Sequence, residues 1–124
     1  MNREIKFRAQ RTDTKEFVYG YYVKDPIGNY RIYLKPFEEA TSNTYYTVIP
    51  DSVCQFTGLL DKKGKEIYEG DILKLSNKEI IEVSFKSGKY LGVRNNGTVS
   101  LSSFYWIYAE IIGTIYENKN LINQ

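Results

Sequence analysis

Apolar and polar residues alternate along most of this chain with a period of two. Ile5, Phe7 and Ala9 interleave with Glu4, Lys6 and Arg8, and Ile81, Val83 and Phe85 with Glu82, Ser84 and Lys86. Successive side chains of a strand point to opposite faces, so this spacing predicts strands with one buried face. Residues 17–23 and 30–34 read as aromatic-rich strands, and 45–49 as another that ends at Pro50-Asp51. Asp13-Thr14 centres a polar turn, and Asp25-Pro26-Ile27-Gly28-Asn29 is a second, because Pro sets φ and Gly permits φ > 0. Residues 35–43 read as a loop with one short helical turn at 37–40.

The second half is more regular. Short strands are predicted at 72–75, 81–85, 90–93, 98–101, 104–108 and 111–116. Ser76-Asn77-Lys78, Ser87-Gly88 and Asn95-Asn96-Gly97 punctuate them as hairpin signals, and Gly113 marks a bulge or close approach. No segment sustains a 3.6-residue apolar period over eleven residues. The chain is therefore expected to be all-β, built of short antiparallel strands. Residues 1–57 form an N-terminal β subdomain, and 58–124 a connecting hairpin followed by an SH3-like small barrel, the two making one compact unit.

Composition narrows the chemistry. The chain has 124 residues, 26% of them charged and 42% apolar, as expected of one globular domain. It contains no histidine, which removes Ser–His–Asp and Cys–His catalysis and every zinc site that needs imidazole. Cys54 is the single cysteine, so no internal disulfide can form; between Val53 and Gln55-Phe56 it reads as a small core residue of a strand. The opening Met1-Asn2-Arg3-Glu4-Ile5-Lys6 carries charge where a signal peptide needs an apolar core, and no apolar run approaches a membrane span. A cytoplasmic protein without membrane contact is expected. Net charge is +2 and evenly spread, with 8 Lys/Arg against 7 Asp/Glu in residues 1–60 and 9 against 8 in the remainder. Nothing in that balance demands a basic nucleic-acid face.

Three constellations carry candidate chemistry. Glu66, Glu69 and Asp71 put three carboxylates within six residues, enough in principle for an all-oxygen divalent-metal site. Their structural reading is simpler: Gly70 bends the chain, Asp71 accepts backbone N–H groups, and Ile67 and Ile72 anchor the core. Lys62, Lys63 and Lys65 surround Gly64 and could meet phosphates, but they lack the spacing and hydroxyl of a P-loop. Tyrosine, at 12 residues, is the compositional outlier, and seven tyrosines fall between positions 19 and 46. Alternation buries only half of such rings, so Tyr21 and Tyr22 cannot share one core. Exposed tyrosines suit a protein interface. Beside cations they also suit single-stranded nucleic acid, where Tyr21, Tyr30, Arg31 and Tyr33 would stack bases and meet phosphates.

The segment Gln55-Phe56-Thr57-Gly58-Leu59, followed by Asp61, Gly64 and Glu66-Ile67-Tyr68-Glu69-Gly70-Asp71-Ile72, resembles the YopX family of phage and prophage proteins. Arg3-Glu4-Ile5-Lys6-Phe7-Arg8-Ala9, with Thr14-Lys15 and Tyr19-Gly20, is similar to the family's opening. Ile111-Ile112-Gly113-Thr114-Ile115-Tyr116-Glu117-Asn118 and Leu121 are similar to its close, so the likeness runs from residue 3 to about 121. Gln10 departs from it, standing where the family usually has Trp. The resemblance implies a mainly β protein of phage or prophage origin in the cytoplasm of a bacterial host, and it carries no catalytic residues. The expected function is a non-enzymatic module that binds a host or phage protein and forms a homo-oligomer, with no cofactor. The alternative is nucleic-acid binding through Tyr21, Tyr30, Arg31, Tyr33 and the Lys62, Lys63 and Lys65 tip.

Overall fold

The computed structural model describes residues 5–34, 45–94, 97–100, 108–118 and 120. The chain divides into two units, Met1–Phe56 and Thr57–Gln124. In the first, strands β1 (Phe7–Gln10), β2 (Phe17–Lys24), β3 (Tyr30–Tyr33), β4 (Tyr45–Thr47) and the start of β5 (Cys54–Leu60) pair antiparallel in the order β4-β3-β2-β1-β5. Local chemistry sets the hairpins. At the β2–β3 turn the Asp25 carboxylate accepts N–H bonds from Ile27 and Asn29, at 3.1 and 2.8 Å, so the turn folds around one side chain.

Register then decides which side chains are buried. Ala9 lies opposite Val18, Tyr22 opposite Ile32, and Ile32 opposite Tyr46. That face holds the core of the unit, Ala9, Ile32 and Val48, flanked by Phe7, Val18, Tyr22, Tyr30 and Val53. A 3-10 turn at Pro50–Ser52 seals one end: the Ser52 hydroxyl accepts the Gln10 N–H at 2.8 Å and donates to the Ile49 carbonyl at 2.7 Å. The Gln10 side chain donates to the Lys15 carbonyl, so at this position an amide supports the β1–β2 turn.

In the second unit β5 continues to Leu60 and pairs in the same sheet with β6 (Glu66–Tyr68). Strands β7 (Asp71–Lys74), β8 (Ile80–Lys86), β9 (Lys89–Arg94), β10 (Gly97–Ser100) and β11 (Glu110–Thr114) form a five-stranded antiparallel sheet in the order β10-β9-β8-β7-β11. Ile67, Leu73, Ile81, Val83 and Ala109 pack as its core, each Ile, Leu or Val contributing about 1.5–3 kcal/mol by burial. The register of β11 on β7 shifts between Ile111 and Gly113. A Cβ on Gly113 would stand 2.5 Å from the Asn118 side-chain oxygen, which accepts the Thr114 N–H.

The all-β class is what the structure has, and among the described residues there is no α-helix. The sheet of the second unit is open. Its described edges, β10 and β11, do not pair with each other, so these strands do not close the expected SH3-like barrel. The helical turn expected at 37–40 and most of the strand expected at 104–108 lie outside the described residues.

One glycine in the first sheet is sterically required. Gly20 has φ +156°, and a Cβ there would lie 2.2 Å from the Tyr33 carbonyl oxygen across the sheet. Gly20→Ala should therefore destabilise the protein by about 1–3 kcal/mol, read as a lower urea midpoint. An unchanged midpoint would contradict the close approach of β2 and β3.

Candidate aromatic face and carboxylate hairpin

The face of the first sheet opposite its core is lined by rings and guanidinium groups. Tyr21, Tyr33 and Tyr45 stand in one cross-strand row, since Tyr21 pairs with Tyr33 and Tyr33 with Tyr45. The Tyr33 and Tyr45 rings lie 5.2 Å apart by centroid. Arg31, two residues from Tyr33 and so on the same face, sits 4.4 Å above the Tyr45 ring. A hydrogen bond with Tyr33 raises the Arg31 pKa, and its Nη1 lies 3.7 Å from the Asp25 carboxylate. Asp25 in turn titrates below the usual carboxylate range, first through the Asn29 backbone and side-chain donors. Tyr19 and Tyr21, on this same face, are 48% and 45% exposed, whereas Tyr33 is 6% exposed.

The structure thus brings Tyr21, Arg31 and Tyr33 together and leaves Tyr30 out. Tyr30 pairs with Lys24 on the opposite face, under its ammonium at 5.4 Å, and packs on the Ala9–Ile32–Val48 core. Tyr22 faces the same core as Tyr30, so the adjacent Tyr21 and Tyr22 part company as alternation requires. Tyr19, Tyr45 and Asp25 belong to the aromatic face but not to the residues singled out from sequence. The parity of Tyr19 with Tyr21 was the available signal. Tyr45 reaches the row only through the register of β3 on β4.

In the second unit the turn after β5 is organised by a buried carboxylate. Asp61 Oδ1 accepts the N–H groups of Lys63 and Lys65, both at 2.9 Å, and Oδ2 accepts the Ile111 N–H at 3.1 Å. Burial pushes the Asp61 carboxyl up, but the donors of Ile111, Lys65 and Lys63 outweigh it and hold it below the ordinary range. Lys63 Nζ meets Glu110 at 2.6 Å and Lys62 Nζ at 3.6 Å. The hydrogen bond from Lys63 is the main reason Glu110 titrates low. Two of the three candidate phosphate-binding lysines therefore answer to Glu110, and Lys65 is exposed.

Two of the three signature carboxylates, Asp71 and Glu66, do different jobs. Asp71 is buried and accepts the Tyr68 N–H at 2.8 Å, while Glu66 accepts the Tyr68 hydroxyl at 3.1 Å. Gly70 takes φ +88° at the bend between them, and Ile67 and Ile72 are fully buried. Among the described residues, no three His, Cys, Asp or Glu side chains gather as metal ligands. Asp61 and Asp71 thus accept backbone donors, Glu66 a tyrosine hydroxyl, and Glu110 meets two ammonium groups.

The sequence model of a family described as YopX protein matches residues 6–123. The crystal structure of protein EF1440 from Enterococcus faecalis is similar in fold, with a TM-score of 0.64 and 24% identity over 98% of this chain and 99% of that one. No curated protein matches. Among the described residues, no helix is long and apolar enough to cross a membrane.

Asp61 generates two expectations. Asp61→Asn turns an acceptor into an NH2 group facing a backbone donor, which should cost about 1–3 kcal/mol in chemical denaturation. Asp61 and Glu110 both have folded pKa values below their unfolded ones. Their stabilisation is therefore complete above the unfolded carboxyl pKa of about 4, and is lost as pH falls through the lower folded values. The gap between wild type and Asp61→Asn should narrow below about pH 4. A gap that is constant or widens toward acid would contradict the assignment.

Proposed function

This chain belongs to the YopX protein family, and from that premise we propose that it is a non-enzymatic phage or prophage protein that binds a host or phage protein in the bacterial cytoplasm. The supporting observation is the aromatic face of β2, β3 and β4. Tyr19 and Tyr21 expose nearly half their surface beside an Arg31–Tyr45 stack that is itself braced by Asp25 and Tyr33. Tyrosine and arginine give large contact area at low cost in side-chain entropy, and bracing lowers that cost further.

A protein partner fits this face better than nucleic acid does. The Arg31 charge is already met by Asp25, the Tyr45 ring and a hydrogen bond with Tyr33, and Tyr30 turns to the core. The carboxylates that a hydrolase would need support turns: Asp61 and Asp71 accept backbone N–H groups, and Glu66 accepts a tyrosine hydroxyl. The same exposed rings would serve a homo-oligomer, in which a second copy is the partner.

The test combines Tyr19→Ala and Tyr21→Ala. Both rings are half in solvent, so melting should shift little. Affinity for a protein captured from host lysate, or for a second copy in light scattering, should fall at least about tenfold. The reading fails if both the captured partner and the oligomeric state survive the double variant unchanged.

A further inference from the structure

The tyrosine face of the first unit carries hydrogen-bond donors that its own acceptors do not fill. A guanidinium group has five N–H donors to place. One from Arg31 meets Tyr33. The neighbouring Asp25 already serves its own turn: Oδ1 accepts the N–H groups of Ile27 and Asn29, and Oδ2 accepts the Asn29 side-chain amide at 2.8 Å. Arg31 Nη1 stands 3.7 Å from Asp25, near enough to balance charge and too far for a hydrogen bond. Arg31 Nε is buried with no acceptor among the described residues. The group is thus balanced in charge and short of acceptors, with its side chain 26% exposed.

The strands around it add no strong acceptor. By register the face presents Val23, Arg31 and Thr47 in one cross-strand row and Tyr21, Tyr33 and Tyr45 in the next. None of these is a carboxylate or a carboxamide, and their hydroxyl groups donate as readily as they accept.

These features select an occupant. The half-exposed rings of Tyr19 and Tyr21 favour apolar surface. Arg31 needs an acceptor, and because Asp25 balances its charge, a neutral carbonyl answers it without burying a further carboxylate. Carbonyls inside helices and sheets are engaged in their own ladders. A polyproline II segment has no internal hydrogen bonds, so its carbonyls are open, and its prolines bring no N–H that would need an acceptor. The spacing agrees: Tyr21 and Arg31 are diagonal neighbours in the ladder, roughly 7–8 Å apart, and one polyproline II turn advances about 9 Å. This chain has three prolines, at positions 26, 36 and 50, and no proline-rich run, so the segment belongs to another protein.

We propose that the tyrosine face binds a proline-rich segment in the polyproline II conformation, with proline rings on Tyr19 and Tyr21 and a backbone carbonyl accepting from Arg31. This rests on the protein-binding reading given above and narrows the partner from any protein to one kind of segment.

The experiment is an amide NMR titration of the 15N-labelled protein with capped decaproline, beside a capped Gly-Ser peptide of equal length and a decaglutamate. Decaproline should give saturable shifts centred on Tyr19, Tyr21 and Arg31, and the other two peptides should not. Tyr19→Ala combined with Tyr21→Ala should weaken binding at least about tenfold. Arg31→Lys keeps the charge but loses the planar fork, and should weaken it about tenfold. The spectrum of each variant shows that it is folded. The proposal is overturned if decaproline gives no saturable shift, if either control peptide binds as well, or if Arg31→Lys leaves affinity unchanged. A captured partner that the tyrosine variant releases, with wild type ignoring decaproline, would sink this proposal and leave the protein-binding reading standing. A partner and an oligomeric state that both survive the tyrosine variant would sink that reading itself.

Discussion

Two carboxylates taken out of water hold the second unit together. An ionised carboxylate left unsatisfied in the interior would cost several kcal/mol, so Asp61 and Asp71 dictate where nearby backbone N–H groups must be. Asp61 collects three of them, two from its own turn and one from Ile111, fifty residues further along the chain. Asp71 collects the Tyr68 N–H across the bend at Gly70. Together they position β7 between β8 and β11 and drop Ile67, Ile72 and Leu73 into the core.

That constraint gives part of the family motif a structural role. A catalytic carboxylate has to be free to take a proton or hold an ion. Asp61 and Asp71 instead accept backbone donors at hydrogen-bond distance, and Glu110 is held by two lysines. The function we propose places the working surface away from the signature, on the face where Tyr19 and Tyr21 of β2 are nearly half exposed.

Much of this was legible in the chain. Alternation located β1 and β8, Asp25-Pro26-Ile27-Gly28-Asn29 located a hairpin, and Gly113 sits where the β11 register shifts. Gly70, Asp71, Ile67 and Ile72 do what their spacing suggested. What was not legible depends on long-range register. Tyrosine suits both a core and a surface, so only the pairing of β2 with β3 separates Tyr30 from Tyr21. Lys62 and Lys63 look free until β11 brings Glu110 beside them, and the edges of the five-stranded sheet follow from strand order rather than strand content.

The most direct measurement is native-state amide hydrogen exchange, resolved by residue. If Asp61 and Asp71 organise the unit, the amides of Lys63, Lys65, Ile111 and Tyr68 should be protected to nearly the same degree as those of Leu73 and Ile81 in the core strands. Exchange of those four amides at the rate of an open loop, with the core strands still protected, would contradict it. The signature carboxylates would then be free groups whose chemistry has yet to be assigned.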